Sequence, residues 1–128
     1  MSYAIIRKTQ GDFDAVIGRV KDALKSEGFG VLTEIDVAAT LKTKIGKDFR
    51  PYRILGACNP NLAFEALTEE ANIGVMLPCN VIVQRYDNGE VEVSSIDPAT
   101  AMQAVGNPRL SAVADKVRAA LERVIERV

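Results

Sequence analysis

The sequence contains no histidine and no tryptophan, and only two of its 128 residues are cysteine. The absence of histidine excludes the most common general base of enzymes, the serine–histidine and cysteine–histidine nucleophile pairs, and every zinc or haem site with a histidine ligand. An excess of one charge is also lacking, because 16 basic residues stand against 17 acidic ones and the formal net charge is −1. No overall field therefore attracts nucleic acid or an acidic membrane surface.

The remaining composition is that of a globular domain, with 48% hydrophobic and 26% charged residues. Surface scaling indicates that about two thirds of the unfolded chain's surface becomes buried, which suffices for a core without disulfides or metals. We expect a single domain over residues 1–128. No window approaches the roughly 18 apolar residues of a membrane span. The N-terminus lacks the charged-then-apolar order of a signal peptide. We therefore expect a cytoplasmic protein with reduced thiols.

Hydrophobic periodicity predicts an α+β fold. Short β-branched or alternating runs predict five strands, at residues 3–7, 29–35, 52–57, 81–86 and 91–96, and a brief extended piece at 75–77. A 3.6-residue period predicts helices between Asp12 and Gly28, over 37–45, from 60 to about 71, and at the C-terminus. Because strands adjoin hairpins rather than alternating with long helices, we expect an antiparallel sheet with helices on one face, crossed by the long C-terminal helix.

The strongest local signal is a β-hairpin around Asn88 and Gly89. An Asn-Gly pair supplies the positive φ angles of a two-residue type I′ turn. That turn would place Arg85 opposite Glu92, where the two side chains could form an ion pair.

The two thiols are the first candidates for chemistry. Cys58 directly precedes Asn59, a predicted helix cap, where free amides and the helix dipole favour a thiolate. Cys79 precedes Asn80 at the start of the hairpin. One interpretation is an activated Cys58 with Cys79 as a resolving thiol or co-ligand in the same cleft. The other is that both cysteines simply fill small buried volumes, as free cysteine usually does.

A basic segment is the second candidate. Lys42, Lys44, Arg50 and Arg53 lie close together in sequence and are interleaved with two aromatic residues, a pattern typical of anion or single-strand nucleic-acid surfaces. The alternative is a solvated helix end whose lysines complement the helix dipole. The small net charge does not favour a nucleic-acid partner.

Three sequence pieces carry a family resemblance: YRILGACNP at 52–60, LPCNV at 77–81 and IDP at 96–98. Together, and with residues upstream from 34, they resemble domain-of-unknown-function family 302 over about half of the chain, residues 34–98. The resemblance implies a compact α+β domain with the layout of the TATA-binding protein, a curved antiparallel sheet with helices on one side, and a homodimer. It implies no settled activity. It singles out Cys58, Asn59, Pro60, Pro78, Cys79, Asp97 and Pro98.

The function expected from these observations is a binding domain, and whether it also catalyses a reaction stays open. A small molecule, a soft metal or a reactive sulfur species would bind in a cleft between the two cysteines. The residues predicted for that cleft are Cys58, Asn59, Cys79, Asn80 and Asp97. The alternatives are a thiol–disulfide enzyme, or a structural or protein-interaction domain with inert buried cysteines. Whether the protein uses a cofactor stays unknown at this point, and the expected partners are a second copy and a small molecule, not a membrane.

Overall fold

The computed structural model describes residues 2–128. Five antiparallel strands form one sheet in the order β1-β5-β4-β3-β2. The strands are β1 (Ala4–Thr9), β2 (Gly30–Asp36), β3 (Tyr52–Cys58), β4 (Cys79–Arg85) and β5 (Val91–Ile96). The helices are α1 (Phe13–Ser26), α2 (Val37–Ile45), α3 (Pro60–Glu69), α4 (Pro98–Gln103) and α5 (Leu110–Glu126), with a 3-10 helix at Ala71–Met76. The predicted α+β fold with an antiparallel sheet and a long C-terminal helix is confirmed.

Helix α1 begins where the sequence predicts. The Asp12 carboxylate accepts a hydrogen bond from the Ala15 amide at 3.0 Å, which satisfies one of the unpaired amides of the first turn. After the helix, Gly28 adopts a φ of 83°, a conformation that side chains other than glycine rarely adopt. The face between these two ends is buried against the sheet through Phe13, Val16, Ile17, Val20, Ala23 and Leu24.

One face of the sheet carries the main core. Val83 lies directly opposite Val93, so their side chains share that face, and both are fully buried. Helices α1 and α5 pack onto it, and α5 contributes Leu121, Val124 and Ile125. Each fully buried aliphatic side chain of this kind contributes roughly 1.5–3 kcal/mol of transfer free energy.

A second hydrophobic cluster lies beside the main core. It consists of Ala66, Ile73, Leu110 and Val113, from α3, the 3-10 helix and the first half of α5. The extended piece expected at 75–77 is wrong, because residues 75 and 76 belong to the 3-10 helix and only Leu77 is extended. The 3-10 helix places Ile73 in the second cluster.

The hairpin differs from the predicted one by a single residue. Tyr86 donates its amide hydrogen to the Glu90 carbonyl at 2.9 Å and accepts one from the Gly89 amide at 2.9 Å. Gly89 has a φ of 87°, whereas no residue other than glycine has a positive φ in residues 2–128. The connection is therefore a three-residue loop with glycine in the left-handed position, and not a two-residue type I′ turn. Arg85 consequently pairs with Val91 and not with Glu92.

Candidate ligand cavity

A cavity of about 280 Å³ opens between the two hydrophobic clusters. Its walls come from the end of β3, the start of β4, and helices α3, α4 and α5. The side chains that line it are overwhelmingly apolar and include Phe29, Leu62, Leu77, Met102, Val113 and Val117. Among residues 2–128, no aspartate, glutamate, lysine or arginine lines it, so this part of the chain offers a ligand a mostly carbon surface and two cysteines but no fixed charge.

Cys79 forms part of the cavity wall at the first position of β4. It is 8% exposed and lies opposite Ala57 across the strand pair. Burial, and to a smaller extent the charge of Cys58, raise the pKa of the Cys79 thiol to about 11. Cys79 is therefore a neutral thiol at physiological pH, and a role that needs a thiolate at this position is disfavoured.

Cys58 and Asn59 line the same cavity at the junction between β3 and α3. Cys58 is half-buried and ends the strand. The Asn59 side chain caps α3 by accepting a hydrogen bond from the Leu62 amide at 3.2 Å, and its amide group donates to the Glu27 carbonyl at 3.3 Å. Since both ends of the Asn59 side chain are already hydrogen-bonded, its first role is to fix the junction that positions Cys58.

The two thiols share the cavity without being opposed across the strands. Both are free, and the register pairs Cys79 with Ala57, the residue before Cys58. The offset places the two cysteines diagonally across the strand pair and not directly opposite each other, which is less suited to a cross-strand disulfide. Within residues 2–128 there is also no group of three histidine, cysteine, aspartate or glutamate residues arranged to hold a metal ion.

Two of the five residues predicted for the cleft lie outside it. Asn80 follows Cys79 on β4, so its side chain points to the opposite face of the sheet, where it is exposed and paired with Gly56. Asp97 caps α4 and faces a separate polar crevice beside Arg118. The structure thus brings together Cys58, Asn59 and Cys79, and it separates Asn80 and Asp97 from them.

Asp97 is held by a network within the chain. It is 7% exposed; one carboxylate oxygen accepts hydrogen bonds from the amides of Ala99 and Thr100, and the other accepts one from Arg118 Nε at 3.0 Å. Burial acts to raise the pKa of Asp97, but the hydrogen bonds from Arg118 and the two amides outweigh it and lower the pKa below its ordinary value. Three donors within the chain therefore already bind the Asp97 carboxylate, which supports a structural role for this residue.

The basic residues of the second candidate site mostly have partners within the chain. Lys42 contacts Asp48 at 3.0 Å, and Arg53 forms ion pairs with Glu34 and Asp36. The hydrogen bond from Lys21 and then that from Arg53 lower the pKa of Glu34, which keeps this carboxylate charged. Lys44, in the last turn of α2, is exposed.

Arg50 lies among aromatic rings rather than in a basic cluster. Its guanidinium carbon is 4.5 Å from the ring centre of Phe49 and 5.1 Å from that of Tyr86, and Nε donates to Gln84 at 2.8 Å. Cation–π contacts of this kind are worth about 0.5–1 kcal/mol at partly exposed sites. The structure therefore gives Arg50 a packing role next to the hairpin.

A further surface escaped the sequence analysis. The register aligns five residues in one row across the sheet, on the face opposite the main core: Ile6, Ser94, Ile82, Ile54 and Ile35. Ile6 and Ile35 at the two edges are 54% and 46% exposed, and Ile54 and Ile82 are half-buried. We call these five residues the isoleucine row. The sequence shows one of these isoleucines in each of four predicted strands. It does not show which strands are neighbours, so the row can be recognised only when the strand order is known.

No helix in residues 2–128 has both the length and the apolar character needed to cross a bilayer.

The fold and cavity together define an α+β domain in which a five-stranded antiparallel sheet and its helices enclose an apolar pocket with two thiols. The profile of the domain of unknown function DUF302 matches residues 5–128, so the chain belongs to that family, and the match extends well beyond residues 34–98. The crystal structure of an uncharacterized conserved DUF302 protein from Bacillus stearothermophilus is similar to the chain, with 29% identity and a TM-score of 0.93. The similarity covers 99% of this chain and 98% of that one. A comparison with curated proteins gave no match.

Proposed function

We propose that the protein binds a small, uncharged, apolar molecule in the cavity beside Cys58 and Cys79. The observation that carries the proposal is that the described part of the chain contributes no carboxylate, ammonium or guanidinium group to the lining. Small-molecule sites are concave and mostly apolar, with few polar groups. A volume of 280 Å³ corresponds to roughly nine non-hydrogen atoms if each occupies about the volume of a water molecule.

A soft metal fits the cavity less well than an organic ligand. Metal binding requires thiolates, and the raised pKa of Cys79 means that the metal would have to displace a firmly held proton. A thiol–disulfide role is disfavoured for a different reason, since Cys79 is paired with Ala57 and not with Cys58. A purely structural role for both cysteines leaves the cavity without a purpose but is otherwise consistent with their burial.

The binding proposal is tested with naphthalene as an uncharged probe and 2-naphthoate as its charged counterpart. Naphthalene should bind with a dissociation constant on the order of tens of micromolar, from roughly 0.6 kcal/mol for each of about ten buried atoms. The carboxylate should bind at least about tenfold more weakly, because nothing in the cavity compensates its desolvation. Naphthalene fluorescence and calorimetry would measure both constants.

The matched variants are Ala63→Leu and Ala112→Leu. Ala63 lines the cavity from α3, whereas Ala112 is exposed on α5 and does not line it. The first substitution should weaken naphthalene binding by about tenfold or more, because the added carbons occupy the ligand's space. The second should leave binding unchanged. Equal affinity in both variants, or no binding to the wild type in buffer saturated with naphthalene, contradicts the proposal.

We also propose that the protein forms a homodimer through the isoleucine row. The supporting observation is a partly exposed aliphatic row on a sheet face, because apolar patches mark interaction surfaces and a two-fold axis joins like with like. Ile35→Lys should convert a dimer to a monomer in sedimentation velocity, and Val75→Lys, at a position 88% exposed elsewhere, should not. A wild type that stays monomeric at about 100 µM rules the dimer out.

We propose a cytoplasmic location, which the two unpaired thiols support.

A further inference from the structure

The cavity contains two nucleophiles of different accessibility. Cys79 is more than nine-tenths buried, and its thiol has no hydrogen-bond partner in residues 2–128, yet it forms part of the cavity wall. Cys58 lines the same cavity but keeps partial exposure at the end of β3. A molecule that enters the cavity therefore meets the buried residue Cys79 in the wall and the partly exposed residue Cys58 beside it.

The remaining lining narrows the chemistry that these sulfurs can do. No lysine, histidine or carboxylate lines the cavity to act as a general base or to assist hydrolysis. Apolar walls select a carbon skeleton, and sulfur is a soft, polarizable nucleophile that prefers soft carbon. We propose that Cys58 is a covalent attachment site for apolar α,β-unsaturated carbonyl compounds that occupy the cavity. This inference rests on the proposed binding function and names the ligand class for it.

The addition needs no other reactant. At the partly exposed Cys58, where solvent hydrates the charges, the thiolate forms a C–S bond to the β-carbon, and the electron pair of the C=C bond moves to the α-carbon and the carbonyl oxygen as an enolate. The α-carbon then takes a proton from solvent, which replaces the proton that the Cys58 thiol lost. The net change is the addition of S–H across the double bond, with no oxidant, reductant or leaving group. Cys79 does not compete at neutral pH, because burial raises its pKa to about 11 and keeps it protonated.

The test compares trans-2-octenal, which has about nine non-hydrogen atoms and matches the cavity's capacity, with acrolein, which carries the same reactive group without the chain. Both react with the reduced full-length protein and with glutathione, and peptide mass mapping locates the adduct. Each buried methylene is worth up to about fourfold in binding. We therefore expect the octenal-to-acrolein rate ratio to exceed that of glutathione by at least about tenfold, with the adduct on Cys58. Cys79→Ser should keep this ratio, and Cys58→Ser should lose the adduct.

A ratio equal to that of glutathione, or an adduct on Cys79 in the wild type, overturns the inference. Competition on the wild type avoids any dependence on variant folding: saturating naphthalene should slow the reaction of octenal at least about fivefold, and an unchanged rate also overturns it. The two proposals fail separately. If naphthalene binds but octenal shows no preference, the covalent step alone is wrong; if naphthalene does not bind either, both proposals are wrong.

Discussion

Replacing Asp97 tests whether its carboxylate stabilises the fold or binds a ligand. In Asp97→Asn, the side-chain oxygen can still accept from the Ala99 and Thr100 amides, so the cap of α4 survives. The new amide group faces Arg118 Nε at 3.0 Å, where two donors now meet and the ion pair is lost. In Asp97→Ala, both the cap and the ion pair disappear. The two variants therefore divide the contribution of this residue into its two parts.

The magnitudes follow from these contacts. A hydrogen bond to a charged group contributes about 1.5–3 kcal/mol, but the Arg118 side chain is 40% exposed and solvent screens part of the interaction. We expect Asp97→Asn to lower the free energy of unfolding by about 1–1.5 kcal/mol. Asp97→Ala should cost about 1 kcal/mol more, which is the usual value of an N-cap. Naphthalene affinity should stay unchanged in both, because Asp97 does not line the cavity.

The pH dependence provides a second readout. Because the native pKa of Asp97 lies below its ordinary value of 3.8, the carboxylate stabilises the fold above that pH and loses this contribution as the pH falls through the native pKa. The stability difference between the wild type and Asp97→Asn should therefore shrink in acid. Urea titrations followed by far-UV circular dichroism measure it, with Asp115→Asn, at an exposed position on α5, as the control. If Asp97→Asn is as stable as the control at neutral pH, the assigned network is wrong.

Two further predictions concern the strand ends beside the cavity. Gly56→Ala should destabilise the protein by about 1–3 kcal/mol in urea titrations, because the new Cβ would lie 2.1 Å from Thr33 Oγ1 and 2.8 Å from a Pro78 carbon. Adding Thr33→Ala should relieve only part of this cost, and a Gly56→Ala variant as stable as the wild type would contradict this packing. A Cys58→Ser variant loses the smaller, electrostatic contribution to the raised pKa of Cys79 but keeps the burial, which is the larger one. The rate of iodoacetamide reaction with Cys79 should therefore still rise about tenfold per pH unit past pH 8.5, and a plateau near pH 8.5 would contradict the burial.

Local capping chemistry made most of the fold predictable from the sequence. Asn59 accepts an amide hydrogen bond at the helix start assigned to it, and Asp36 and Asp97 do the same at the starts of α2 and α4, because a short polar acceptor before a helix has one favourable use. The strands were predictable as well, since apolar and polar residues alternate along a strand whose sheet is buried on one face. The 3-10 helix at Ala71–Met76 was not, because its geometry is set by the packing of Ile73 and not by local preference.

The hairpin error has a physical reason that the sequence also contained. A two-residue turn at Asn88 and Gly89 would place Val83 opposite Ser94 and turn Val93 away from the core, because a shift of one residue moves every side chain to the other face. The observed three-residue loop pairs Val83 with Val93. Burial of two valines outweighs the preference of one turn dipeptide, so the alternation of both strands should have decided the register.

The candidate site was only partly predictable, since proximity in the sequence does not imply a shared face. Cys79 and Asn80 are neighbours in the chain, yet the strand sends one side chain to the cavity and the other to the opposite face. The apolar walls gave no signal either, because Leu62 and Val117 occupy helix positions that look like ordinary core. Only the packing of two hydrophobic clusters around α5 leaves a space between them.

That space persists because small side chains line it. Ala57, Ala63, Ala66 and Ala114 all contribute to the cavity wall, at positions where leucine would fill much of the volume. Leucine at these positions would bury more apolar surface, so stability alone favours larger residues here. Small side chains that keep an apolar cleft open are what the proposed ligand binding requires.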